Sequence, residues 1–200
     1  MSSKASDHTI WKITGRARAQ LPDDWRTRLA ARLGQRPRRI GMLAELALYG
    51  ALDCLDDAGE TILPGDVVLR VCSMCGASDS ISQVLEQNRQ ELPMPFSFLQ
   101  SQTSQLLPAL AAALKWQGDA GIILASDPIN LVKLAVAQAG PSGVLLGWVE
   151  EAPGSSIWIR LARCDIVSAK FSESKGFAEM VSPETLYWRL GRVGMEIATA

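Results

Sequence analysis

The sequence predicts an α/β fold, and three observations predict it. Short apolar runs rich in β-branched residues alternate with longer segments of helical periodicity. Those helical segments carry cap and stop residues at their ends. Two hundred residues, 48% hydrophobic and 20% charged, can bury one substantial core, and neither repeats nor low-complexity linkers divide them.

The first clear element is "RRIGMLAELALYGALDCLDDAG", apolar on nearly every side, with its polar residues confined to Glu45, Asp53, Asp56 and Asp57. This is a helix with a narrow wet stripe that stops at Gly59. "DVVLRVCSMCG" starts β-branched and ends in glycine, as a strand running into a loop does. Ser78 or Asp79 is placed to cap the next helix, "SISQVLEQNRQEL", whose Ile81, Val84, Leu85 and Leu92 lie at helical spacing. "PMPFSFLQSQTSQ", with two prolines and a polar tail, reads as loop. "LLPALAAALKWQG" returns to helix, with Ser104 as its cap and Pro108 tolerable near the first turn. The alanines at 109, 111, 112 and 113 would let neighbouring backbones approach closely, so this helix is expected to lie sandwiched inside the fold.

The apolar run Ile122 to Ala125 then stops at Ser126-Asp127-Pro128, and a second apolar pattern follows at once. The chain changes there from strand to helix. Two successive strands follow, "SGVLLGWVEE" and "SSIWIRLARC", the second alternating apolar Ile157, Ile159 and Leu161 with Trp158 and Arg160. "SPETLYWRLGRV" has Ser182 at a cap, Pro183 at the first helical position and Glu184 in the first turn, so a short terminal helix is expected.

Composition narrows the function classes. Apolar stretches are broken well before the roughly 18 residues of a membrane span, and "MSSKASDH" has no signal-peptide core, so a cytoplasmic protein with no membrane partner is expected. Cys54, Cys72, Cys75 and Cys164 are too few and too irregular for a disulfide scaffold. "CSMCG" has C-x-x-C spacing but lacks matching ligands elsewhere, so small buried thiols are expected rather than a metal or redox site, and no cofactor is implied. Net charge is −1, yet residues 1 to 40 carry +7, leaving −8 for the remainder. That patch reads as a solvated face or a docking surface for an acidic protein. Without aromatic residues interleaved among the basic ones, nucleic acid is not expected as a partner.

Ser126 is the one candidate nucleophile. Asp127 is a favoured N-cap and Pro128 a favoured first helical residue, so "SDP" is explained as helix initiation without chemistry. A hydrolase would want small residues around the serine and a base within reach, and Ala125, Asp127 and Pro128 stand where the glycines of a nucleophile elbow would be.

The order of the runs "RPRRIGMLAELALYGALDCLDDAGE", "LRVCSMCGASDSISQVLEQ", "MPFSFLQSQTSQLLPALAAALKWQGDAGIILASDPINLVKLA" and "SGVLLGWVEE" resembles the N-terminal half of β-ketoacyl synthases, of the thiolase-like superfamily, over roughly residues 10 to 165. The resemblance implies a thiolase-like half-fold: a mixed five-stranded sheet with helices on both faces, in a single domain spanning 1–200 with a divergent tail from 166 to 200. It also places Ser126 where the family carries its nucleophilic cysteine. The family's two histidines belong to its C-terminal half, and the only histidine in this sequence, His8, precedes the fold. Condensation by this chain alone is therefore not expected.

What the resemblance implies for function is a non-catalytic ketosynthase-like accessory protein of a fatty-acid or polyketide type pathway, akin to chain-length factors. An acyltransferase or thioesterase using Ser126, and a structural homodimer without acyl chemistry, stay open beside it. In thiolase-like proteins the strand before the nucleophile turn lies at a sheet edge and pairs with a partner. Here that strand holds Gly121, Ile122, Ile123 and Leu124, with Phe96 and Phe98 expected to add apolar contact to a homodimer or a ketosynthase heterodimer. Arg36, Arg38 and Arg39 are the residues expected to meet an acyl carrier protein, which is strongly acidic.

Overall fold

The computed structural model describes residues 10–18, 20–92, 94–126, 128–164 and 197–199. Its strands are β1 (Ile10–Ala17), β2 (Val68–Ser73), β3 (Ala120–Leu124), β4 (Val144–Glu150), β5 (Ser155–Cys164) and β6 (Ile197–Thr199). Its helices are α1 (Trp25–Leu33), α2 (Met42–Ala58), α3 (Ser78–Arg89), α4 (Pro95–Gln100), α5 (Leu106–Leu114) and α6 (Pro128–Ala137), with a 3₁₀ turn at Thr103–Gln105. The sheet order is β3-β2-β4-β5-β1, and the three-residue β6 extends it along β1. β2 runs parallel to both β3 and β4, while β5 is antiparallel to β4 and β1. This is the mixed five-stranded sheet expected, with a short sixth strand added at one edge.

Two apolar layers cover the sheet. Residues of α1, α2 and α5 pack with Leu69, Val71, Leu145, Val149 and Trp158 on one face. Leu131, Val132 and Ala135 of α6 pack with Trp11, Cys72, Leu146 and Leu161 on the other. α2 carries the larger layer, burying Leu46, Ala47 and Ala51 completely. It ends where the sequence stops it, with Gly59 left-handed and its N–H returning to Asp56 and Leu55. Its wet stripe meets the basic segment: Arg26 pairs with Glu45 at 3.0 Å, and Arg32 with Asp53 and Asp56 at 3.3 and 2.5 Å. Two of the N-terminal arginines are thus paired with α2.

The close approach of α2 to the sheet depends on missing side chains. Trp158 is fully buried, and a methyl group at Gly50 of α2 would collide with its ring and with Ser156 Oγ, while one at Gly147 of β4 would strike the ring from the other side. The indole N–H donates to Ser156 Oγ at 2.9 Å, and that hydroxyl donates to the Leu46 carbonyl of α2 at 2.8 Å. Every polar atom in the slot is therefore satisfied.

Several sequence expectations need correction. Residues 95–100, expected as loop, form α4, with Pro95 at the first helical position where its missing N–H costs nothing. Ser78 and Ser104 are not caps: Ala77 and Gln105 precede the helices, and neither helix has a side-chain cap of its own. α5 is not sandwiched, since it buries Leu106, Leu110 and Leu114 along one side and leaves Pro108 and Ala112 exposed. β1 and α1 were not anticipated, because their charged residues mask short apolar patterns. The Asp127 cap, the helix from Ser182 and His8 lie outside the described residues.

Gly50→Ala is expected to destabilise the fold by about 1–3 kcal/mol, the usual cost of overpacking a filled core. Urea unfolding checks it through a lowered midpoint with an unchanged m-value.

Candidate functional site

The parallel strands β2, β3 and β4 all end at one edge of the sheet, the position where open α/β sheets hold their sites. Ser73, Leu124 and Glu150 are their last residues. Ser126 follows β3 directly, exposed to solvent, with α6 beginning two residues on at Pro128. The turn is tied to β2 by Ala125 N–H donating to the Ser73 carbonyl at 3.2 Å, and by Cys72 Sγ 3.7 Å from the Ala125 carbonyl. Among the described residues, Ser126 has no hydrogen-bond partner.

The carboxylates nearest this edge are committed elsewhere. Glu150, buried at the end of β4, accepts from Met74 N–H at 2.5 Å, Ser73 Oγ at 2.9 Å and Cys75 N–H at 3.4 Å. Ser73 Oγ in turn accepts from Gly76 N–H at 2.8 Å. Glu151, also buried, accepts from Asp79 and Ser80 N–H at 3.0 and 3.2 Å and from Ser80 Oγ at 2.7 Å. A carboxylate distant in sequence thus satisfies the first turn of α3 and complements its dipole, which is why neither Ser78 nor Asp79 needs to. Together the two glutamates fix the whole β2–α3 loop. Sequence reasoning missed them, although two acids ending an otherwise apolar strand were the available signal.

The C-x-x-C pair is split by this loop. Cys72 sits in β2, buried, and burial pushes its thiol up to about 11. Cys75 falls beyond the strand's end and is exposed, contrary to the expectation that it would be buried. Cys54 is buried in α2, and desolvation raises its thiol as well.

β3 forms the sheet edge, bonded to β2 alone among the described residues. Its residues Gly121, Ile122 and Ile123 are half-buried: Ile122 leans on the α2 layer, Ile123 on the α6 layer, and Leu124 is 63% exposed. The start of the strand is anchored by Arg70 of β2, whose guanidinium meets both oxygens of Asp119 at 3.1 and 2.6 Å while Nε donates to Gln138 at 3.0 Å. That bond holds the Asp119 carboxyl below the ordinary carboxylate range. An apolar, unblunted edge is therefore presented in a fixed position.

The other expected partner residues form a second group. Arg39 lies over the Phe96 ring, 4.7 Å from its centroid; Phe98 is exposed on α4, and Arg36 and Arg38 are exposed on the loop between α1 and α2. α3, whose apolar residues lie at helical spacing, buries no side chain: Ile81 and Leu85 face solvent. The structure thus joins Phe96 to Arg39.

No protein-family model matches this sequence, and no curated protein matches it. Among solved structures, a chain from the complex of the ketosynthase ApeO with its chain length factor ApeC, from Xenorhabdus doucetiae, is similar in fold with a TM-score of 0.51. The two are 21% identical, and the match covers 80% of this chain and 79% of that chain. The chain therefore shares its α/β fold, a mixed five-stranded sheet with helices on both faces, with that chain. Among the described residues, no helix is long and apolar enough to cross a membrane.

Two measurements test the edge. Brief alkylation at neutral pH followed by peptide mapping is expected to label Cys75 well ahead of Cys54 and Cys72, whose thiols stay protonated until strongly alkaline pH. Glu150→Gln, which turns an acceptor toward the loop into a partial donor, is expected to cost about 1–3 kcal/mol and to speed hydrogen exchange at Met74 and Cys75.

Proposed function

We propose that this chain is a non-catalytic, ketosynthase-like accessory subunit of a fatty-acid or polyketide type pathway, working in the cytoplasm by pairing with a synthase. The observation that carries the reading is the edge strand β3. It is apolar, it has no lysine or internal proline to blunt it, and its far side is open among the described residues. A second chain adding its own strand there would satisfy the free backbone groups and cover Leu124. The fold likeness supports the choice of partner, because the similar solved chain comes from a complex of a ketosynthase with its chain length factor and is matched over about the same fraction as this one. Ser126, without a base among the described residues, supports a role other than acyl transfer.

Sedimentation of the chain alone and with a ketosynthase from the same genome tests the pairing. Wild type is expected to form a two-fold homodimer or heterodimer at roughly ten micromolar. Leu124→Lys, at an exposed position that the fold does not need, is expected to weaken it at least about tenfold. A chain that stays monomeric in both mixtures refutes the reading, and self-pairing without synthase binding would favour a structural homodimer. Incubation with acyl thioesters is expected to leave the intact mass unchanged. An adduct abolished by Ser126→Ala would instead make the chain an acyltransferase or thioesterase.

A further inference from the structure

Around α4 the fold gathers charge of both signs. Arg36, Arg38 and Arg39 are exposed on the loop before α2, and Arg36 and Arg38 have no ion pair or hydrogen bond among the described residues. Arg39 holds a left-handed backbone at φ 62° and lies over Phe96 of α4. A methyl group at Gly41 would meet the Gln100 carbonyl at 2.6 Å, so this loop ends directly on the end of α4. α4 packs in turn against α3, which brings Asp79, Glu86 and, just past its end, Glu91, all exposed. Arg89 lies 3.5 Å from Glu86, but both side chains are more than half exposed, and such a pair is weak.

The surface between these charges is apolar. Neither α3 nor α4 buries a side chain, and Ile81, Leu85, Phe96, Phe98 and Leu99 are all exposed. Both helices are nevertheless fixed in place. Glu151 holds the first turn of α3, and the contact at Gly41 holds the end of α4.

The two signs limit what can cover this surface. An acidic protein, a nucleic acid or an anionic membrane drawn to the arginines would meet the carboxylates of α3 as well. A basic surface drawn to those carboxylates would meet the arginines. A surface that carries both signs about one apolar helix is complementary to its own copy after a two-fold turn.

We infer that α3, α4 and the loop 36–39 form a self-complementary docking surface for a second copy of this chain. The exposed apolar residues of the two α4 helices cover one another, and the three arginines of each copy meet Glu86 and Glu91 of the other. β3 takes no part, so each copy keeps that edge for another partner. The inference rests on charge and exposure, independently of pairing through β3.

Sedimentation equilibrium of the full chain carrying Leu124→Lys tests it, because pairing through β3 is weakened in that variant. A patch this small is expected to give a reversible dimer at about a few hundred micromolar, weakening about tenfold or more between low and high salt. Phe98→Ala is expected to weaken it about tenfold. Arg36→Glu with Arg38→Glu, and separately Glu86→Lys with Glu91→Lys, are each expected to abolish self-pairing, since each makes both halves of a two-fold contact like-charged. An equimolar mixture of the two charge-reversed variants is expected to recover the dimer, because the signs match again between unlike copies. All five positions are exposed, so an unchanged urea midpoint is expected to accompany each result. A chain that stays monomeric over this range, charge-reversed variants that pair as before, or a mixture that fails to recover the dimer overturns the inference. None of these results bears on synthase pairing through β3, which is measured with Leu124 in place.

Discussion

The seating of α2 on the sheet is the constraint on which the rest of the structure depends. A buried indole needs both space and an acceptor, and the chain supplies space through Gly50 and Gly147 and an acceptor through Ser156. Because the Ser156 hydroxyl donates a hydrogen bond to the Leu46 carbonyl, the same side chain joins β5 to the helix backbone. With α2 held this close, α1 can lay its arginines on the acidic stripe, and α5 can close the layer with its three leucines. A larger residue at either glycine would lift the helix and loosen all of these contacts together.

The carboxyl edge of the sheet is organised by a different kind of force. Glu150 and Glu151 are buried acids that gather backbone N–H groups, and they turn the β2–α3 loop into a rigid wall beside the β3 turn. Their oxygens are occupied by structural bonds, so these acids set the shape of the edge.

Contact surface is what the fold leaves exposed. Among the described residues, most of the exposed large apolar side chains belong to the β2–α3 loop, α3, the start and length of α4, and the end of β3. A monomer in water gains nothing from such a distribution. Gly76 links these regions, because its Cα faces both Thr103 and Leu124, so the end of β3 and the loop entering α3 form one continuous margin.

The sequence by itself determined the elements whose signals are local. α2, β2, β4 and β5 were legible because periodicity and β-branching are properties of adjacent residues, and Gly59 and Pro128 marked ends because their backbone preferences hold in any context. The order of these elements was enough to suggest the half-fold, and the run from Gly121 to Leu124 was legible as an apolar strand. Tertiary structure alone decided everything that depends on partners distant in the chain. The amphipathic spacing of α3 marked an apolar side, yet periodicity does not say whether the domain covers it. The cap of α3 comes from Glu151, 72 residues from Asp79, where no local pattern could reveal it. Which arginines are spent on α2 and which remain free, and that Arg39 lies on Phe96 rather than near β3, followed only once the chain was folded, because charge pairing is set by distance in space and the sequence records only distance along the chain.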